Sequence, residues 1–167
     1  MSTRQLRRSA RYKAWADQLT FDAAAKLPAE ELTRPRQVVF GSMLRLLTHT
    51  YTIDRVFQAH LLGEEHGFTA RITDEQLSLA ELWERQRGLD QWYVDWADAL
   101  AETAVDEPVR FAFIGGGEGQ MSKGEILLHV VNHASYHRGF VADMFYQAAV
   151  KPPTTDLPVF LRDVPQI

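Results

Sequence analysis

The sequence predicts an all-α protein, a four-helix bundle with a small β-hairpin ahead of its last long helix. Three observations predict this fold: long segments have helical spacing of apolar residues, capping signals stand at their starts, and a short apolar run followed by glycines interrupts them. At 167 residues, the chain is expected to form one domain, residues 1–167. A domain of this length buries roughly 70% of its unfolded surface, so it has a core.

A loop that contains proline separates the first two predicted helices. The first helix covers about residues 5–26, and residues 32–37 are predicted as a loop. The second helix covers about residues 42–62, with the hydroxyl of Ser42 as a suitable N-cap. Gly63 then breaks the pattern.

The third helix has two candidate starts, Asp74 and Leu79, because each follows a residue that opens a capping-box spacing. It is predicted to end near Thr103. This helix is rich in aromatic residues, which either fill the core or form a subunit interface. They are Trp83, Trp92, Tyr93 and Trp96.

A β-hairpin is predicted just before the fourth helix. Residues 109–114 are a short apolar run, and the glycine-rich residues 115–119 follow it. The triple glycine lacks the pattern of a phosphate-binding loop, so it is predicted as a turn. The fourth helix covers about residues 122–149, and Ser122 with Glu125 forms a capping box at its start.

The composition argues against several classes of function. The net charge of −4 leaves no excess of basic residues for nucleic-acid binding. The basic residues between Arg4 and Lys13 are interpreted as a solvated helix face rather than a site for an anionic partner. No stretch approaches the ~18 apolar residues of a membrane span, and no signal peptide is recognised. Without cysteine there are no disulfides or thiolate ligands. The protein is therefore expected to be cytoplasmic, with no nucleic-acid or membrane partner.

Three histidines recur at four-residue intervals in the fourth helix: His129, His133 and His137. Residues four apart lie almost one above the other, and a Cβ separation of about 5–6 Å lets two rings converge on one ion. His133 and His137 fall within the apolar stripe, where unpaired imidazoles are costly. A metal ion that accepts a lone pair from each ring removes this cost. Hydrogen-bonded core histidines are the structural alternative.

A second helix has to supply the third ligand. His129 and His137 are eight residues apart, about 12 Å along the axis, so one helix cannot arrange all three of its histidines round one ion. His49 lies at the edge of the buried stripe of the second helix and is the best candidate, with His129 as the alternative. Otherwise His129 is expected to line the same cavity, and His60 lies too far along the helix. Asp54 is either an acceptor near the site or an ion-pair partner.

The chain resembles the DinB-like, YfiT-related family of metal-binding proteins over nearly its whole length, and the fourth-helix motif is the most specific part. Tyr136 and Phe140 depart from that motif, which often has histidine and glutamine at these positions. Neither departure removes a ligand, but both are expected to reshape the pocket. The matching segments are residues 12–15, 40–55, 117–139 and 152–156.

The resemblance implies a bundle with an up-down-down-up course and a long crossover. It also implies a metal triad of His49, His133 and His137 with open coordination positions, and a homodimer. Some relatives are thiol-dependent S-transferases, and many are regarded as metal-dependent hydrolases without a known substrate.

Three neutral ligands leave the charge of a metal uncompensated, which favours loss of a proton from water or a thiol. The first hypothesis is therefore a metal-dependent enzyme that activates water or a low-molecular-weight thiol to attack a small-molecule substrate. The second is a non-catalytic, stress-related protein that binds metal or ligand. Zinc and nickel are the first metal candidates. No companion base can be assigned among the residues near the ligands, which are Tyr51, Asp54, Tyr136 and Arg138.

Overall fold

Four long helices build the protein in the computed structural model, which describes residues 1–73 and 75–165. A short helix follows the first long one, a β-hairpin precedes the last, and a final short helix closes the described chain. The elements are α1 Thr3–Ala24, α2 Ala29–Thr33, α3 Met43–Leu62, α4 Leu79–Ala99, a 3₁₀ turn Glu102–Ala104, β1 Pro108–Ala112, β2 Glu118–Ser122, α5 Lys123–Gln147 and α6 Leu157–Asp163.

Serine caps begin all four long helices. Ser2, Ser78 and Ser122 each form a capping box with the residue three positions on, and the Ser42 hydroxyl accepts the backbone N–H of Arg45. The start of α4 at Leu79 is thereby confirmed, and the alternative start at Asp74 lies outside the described residues.

Two details of the predicted elements were wrong. The third long helix was predicted to reach Thr103, but α4 ends at Ala99 because Leu100 adopts an extended conformation, with ψ 123°. Part of the predicted loop 32–37 belongs to the short helix α2, which begins directly after Pro28. Proline is tolerated at the start of a helix because the first backbone N–H groups have no partner within the helix, so the N–H that proline lacks costs no hydrogen bond.

Two core clusters show which way each helix runs. One cluster joins the N-terminal halves of α1 and α5 to the C-terminal halves of α3 and α4, and the other joins the opposite halves. Hence α1 and α5 run in one direction and α3 and α4 in the other, which confirms the up-down-down-up course with a crossover at residues 63–78. Representative members are Leu6, Ile53, Tyr93 and Ile126 in the first cluster and Phe21, Leu46, Leu82 and Met144 in the second.

The predicted hairpin is present, with β1 and β2 antiparallel and Phe111 opposite Gly119. The triple glycine forms its turn: Gly115, Gly116 and Gly117 have φ values of 90°, 101° and 91°. Only glycine adopts such values readily, so the three glycines account for the conformation of this turn.

The aromatic residues of α4 divide between the core and its edge. Tyr93 is fully buried and donates its hydroxyl to the Asp54 carbonyl at 2.7 Å, and Trp83 stacks on Phe21 with ring centroids 4.9 Å apart. Trp92 and Trp96 are half-buried. No helix in the described ranges has the length and apolar character of a membrane span.

A buried ionic cluster ties three helices together, and it shows that the interpretation of Lys13 as part of a solvated helix face was wrong. The Lys13 ammonium on α1 lies 2.8 Å from Asp17, 2.7 Å from Asp54 on α3 and 2.6 Å from Asp90 on α4. Gln86 donates to Asp54 and Asp90 at 3.1 and 2.9 Å. The three carboxylates are spaced to hold a metal ion, but the ammonium already supplies their cation. Asp54 is thus an ion-pair partner.

Burial raises the pKa of Asp54 to about 6 and that of Asp90 to about 7, although Lys13 opposes both shifts. The Arg138 guanidinium also lies 3.7 Å from Asp17, so two cations face three carboxylates and the cluster favours a retained proton. Tyr93 lies beside it, and burial raises the pKa of that phenol as well.

We expect Lys13→Met to lower the free energy of unfolding by about 3–5 kcal/mol, because three buried carboxylates would lose their cation. Urea denaturation measures this. Lys26→Met, which removes an exposed lysine just beyond the same helix, should change it by no more than about 0.5 kcal/mol. Equal effects of the two substitutions would contradict the role given to Lys13.

The same cluster predicts how stability depends on pH. Between about pH 4 and pH 7, the folded protein keeps a proton that the unfolded chain has released, so this contribution to stability is lost as pH rises. Asp90→Asn removes the titration of Asp90, leaves that of Asp54 and keeps the shape. The stability of the wild type relative to this variant should therefore be lower at about pH 8 than at about pH 5, with a slope of at most about 1.4 kcal/mol per pH unit for the one group removed. Denaturation at both pH values checks this, and a constant difference would refute it.

Candidate metal centre

The structure brings together the three predicted ligands, His49 on α3 and His133 and His137 on α5. Each offers one ring nitrogen, and the three nitrogens lie within 4.8 Å of one another. The Nε2 atoms of His49 and His133 are 3.2 Å apart, and the rings of His133 and His137 have centroids 4.4 Å apart. The pair on α5 follows from the four-residue spacing, and the third ring follows from the packing of α3 against α5.

Two contacts orient the His49 ring. One comes from the segment between α3 and α4, and the other comes from Phe40, which lies three residues before the start of α3. The Nδ1–H of His49 donates to the Arg71 carbonyl at 2.5 Å, which leaves a lone pair on Nε2, the atom that faces His133. Phe40 stacks on the ring at a centroid distance of 4.0 Å. Phe40 itself has a φ of 67°, a left-handed conformation that residues other than glycine seldom adopt. Neither contact has a periodic signal, and sequence reasoning missed both.

The three imidazoles are held in the neutral form that binds metal. Burial lowers the pKa of His133 to about 3 and that of His137 to about 4, and the neighbouring rings add to the shift. Burial also lowers the pKa of His49; the hydrogen bond to the Arg71 carbonyl opposes this shift, and the positive charge of Arg71 adds to it. All three rings therefore have lone pairs available at neutral pH.

The donor set fits a divalent metal ion. The Nδ1 atoms of His133 and His137 are buried and have no hydrogen-bond partner among the described residues. Buried ring nitrogens are ordinarily paired with a hydrogen-bond partner, water included, or with a metal ion, and a ring that binds a metal does so through one of its two nitrogens. Two nitrogens that bind one zinc ion at about 2.0–2.1 Å in tetrahedral geometry stand about 3.3 Å apart, close to the separation of the two Nε2 atoms. These histidines could hold a metal ion.

The remaining candidates lie beside the three rings. His129 lies one turn before His133, with ring centroids 5.7 Å apart, and it packs against Phe57 at 4.5 Å. It is outside the metal-binding group found among the described residues and lines the cavity. His60 stacks on Phe111 at 4.7 Å and lines the far part of the same cavity. Sequence reasoning placed His60 too far to bind the ion, but missed its place in the cavity.

A cavity of about 740 Å³ opens beside the three rings, and the hairpin covers one side of it. Its walls are mainly aromatic and aliphatic. The lining residues are Val39, Phe40, His49, Ile53, Val56, Phe57, His60, Arg71, Phe111, Ala112, Phe113, Ile114, Gly115, Gly116, His129, His133 and His137. The site therefore combines a polar nitrogen cluster with an apolar chamber, as small-molecule sites usually do.

The residues weighed as a companion base do not line this cavity. Asp54 belongs to the Lys13 cluster, and Tyr136 is exposed, with its ring edge-on to His137 at 4.9 Å. Arg138 is buried and donates to the Tyr12 hydroxyl at 2.8 Å and to the Thr155 hydroxyl at 3.1 Å. Arg138 has a structural role: it lies 3.7 Å from Asp17 of the Lys13 cluster, and it ties the segment before α6 to α1 and α5.

Fold and site together define a class: helix bundles in which histidines from two helices form a group able to hold a metal ion next to a pocket. The family model described as "DinB family" matches residues 1–165, and the chain belongs to this family.

A protein from Bacillus subtilis (strain 168), "Protein DinB", is 27% identical over an alignment of 156 residues, and the match covers 90% of this chain and 90% of that one. The crystal structure of a DinB-like protein from Bacillus cereus ATCC 10987 has the same fold. It has a TM-score of 0.64 and 18% identity, and the match covers 86% of this chain and 91% of that one.

A substitution at Gly119 tests how the hairpin packs beside the cavity. A Cβ at this position would lie 2.6 Å from a ring carbon of Phe111, which is itself packed against Phe57 and His60. We expect Gly119→Ala to cost about 1–3 kcal/mol of stability, measured by thermal or urea unfolding, and to move the Phe111 ring. Gly88→Ala adds its methyl to α4 where no atom lies within 4 Å, so it should stabilise by up to about 1 kcal/mol. Stabilisation by both substitutions would disprove the close contact at Gly119.

Proposed function

We propose that the protein binds a divalent metal ion, with zinc and nickel the first candidates, through His49, His133 and His137. We further propose that it is a metal-dependent enzyme of the hydrolase or thiol S-transferase type. The observation that carries the proposal is the convergence of three neutral imidazoles from two helices on one side of an apolar cavity. A closed structural site would have a fourth protein ligand, whereas three ligands beside a cavity leave room for water or substrate.

The lining of the cavity indicates where the nucleophile comes from. The lining residues in the described part of the chain include no serine, threonine, tyrosine, lysine or carboxylate, and the sequence has no cysteine. The nucleophile in this proposal is therefore water or a low-molecular-weight thiol that enters the cavity, rather than a side chain. A divalent cation supplies the positive charge that favours loss of a proton from either one. The Arg71 carbonyl and Phe40 hold the His49 ring with its Nε2 towards His133. The apolar walls of the cavity hold the substrate and exclude bulk water.

Metal binding is the first test. We expect purified protein to contain close to one equivalent of metal by elemental analysis, and His133→Ala to weaken zinc or nickel binding by about 100-fold or more in a competition titration. His66→Ala is the matched control, because it removes an imidazole outside the three-ring group. Wild-type protein that binds neither metal under these conditions would end the proposal.

Activity is the second test. Metal-loaded protein should hydrolyse model esters, or transfer a thiol to an electrophile, and a chelator or His133→Ala should abolish the reaction. Tight metal binding without turnover in either assay would instead support the non-catalytic alternative, in which the protein holds a ligand or responds to stress.

We also propose a homodimer. Trp92 and Trp96 of α4 are half-buried and stacked, with centroids 6.3 Å apart, so they offer aromatic surface for a subunit contact. Light scattering at micromolar concentration measures the mass. A monomer under those conditions argues against the dimer and leaves the metal proposal unaffected.

A further inference from the structure

We infer that the cavity takes a small organic anion: an apolar body that fills the aromatic walls, with a carboxylate paired to the Arg71 guanidinium. This inference rests on the proposed function and names the class of molecule that its site would accept.

The charges around the cavity point to an anion. Among the lining residues that the structure describes, Arg71 is the one with a formal charge, and none of them is an aspartate or a glutamate. It is exposed, and it has no ion pair or side-chain hydrogen bond within the described part of the chain. Its backbone carbonyl contacts the His49 ring, so the residue itself is placed beside the nitrogen cluster. Within the described residues, the site thus offers a cation without an ion-pair partner and no acid in its lining.

The walls point to an apolar body. Phe40, Phe57 and Phe111 line the chamber with the aliphatic residues Ile53 and Val56, and its polar side chains are the histidines and Arg71. Such walls offer few hydrogen bonds to a polyhydroxylated molecule, which would lose its water without replacement. A volume of about 740 Å³ lies within the range of sites that hold drug-sized ligands.

Arg71 and the aromatic walls lie on different elements of the fold, so they would contact opposite ends of this ligand. The guanidinium belongs to the crossover between α3 and α4, whereas the aromatic walls come from α3 and the hairpin. A molecule with its carboxylate at Arg71 therefore places its apolar part along α3 and under Phe111. A cationic ligand of equal size would meet the arginine charge and, in the loaded protein, the charge of the metal.

The test uses three probes with one body and different head groups: phenylbutyrate, phenylbutanol and phenylbutylamine. Calorimetric titration of zinc-loaded protein should show the carboxylate binding about tenfold or more tightly than the alcohol, and the amine binding weakest. Arg71→Gln should retain zinc and lose the preference for the carboxylate. Arg87→Gln is the matched control, because it removes an exposed arginine of α4 that is paired with Glu84, away from the cavity.

The same titrations on chelator-treated protein separate this inference from the proposed function. A carboxylate preference that survives chelation in the wild type and disappears in Arg71→Gln supports the arginine site whether or not metal binds. Equal binding of the three probes, or an unchanged preference in Arg71→Gln, overturns the inference even where zinc is bound. Zinc content, measured on every sample, reports on the metal proposal alone.

Discussion

The ion cluster around Lys13 fixes the arrangement on which the rest of the protein depends. One ammonium contacts carboxylates from α1, α3 and α4, and it lies where water cannot replace any of them. Breaking such a cluster leaves buried charges unpaired, so the three helices are constrained to one rotation about their axes. Asp54 follows His49 by five residues, about 140° round the helix. When Asp54 points to Lys13, His49 is therefore turned towards α5.

A second set of polar contacts sets the rotation of α5. Arg138 follows His137 directly, about 100° round the helix. Its guanidinium donates to Tyr12 and Thr155, so that face of α5 is held against α1 and the segment before α6. His133 and His137 consequently face α3. The three rings meet because polar partners on other faces of both helices hold them there, while the apolar clusters at each end supply most of the burial.

Sequence reasoning could predict what local rules determine and could not predict contacts between distant segments. Serine caps and helical spacing fix the starts of the long helices, and the four-residue spacing of His133 and His137 fixes a shared face. By contrast, Lys13 and Asp90 are separated by 77 residues. Arg71 offers His49 a backbone carbonyl, which every residue has, so no residue type marks it. The position of the hairpin over the cavity likewise depends on tertiary packing.

The two polar centres of the protein differ in where their partners come from. Around Lys13, a cation and carboxylates are paired within the chain, so this centre contributes structure and needs nothing from outside. The histidine group is made of neutral donors, two of which have a buried nitrogen without a partner in the described residues, and it faces open volume. Neutral donors beside a cavity leave any bound cation uncompensated, and Arg71 adds further positive charge. An anionic ligand supplies the charge that the described lining lacks, which is why the chemistry of this site points to an anion.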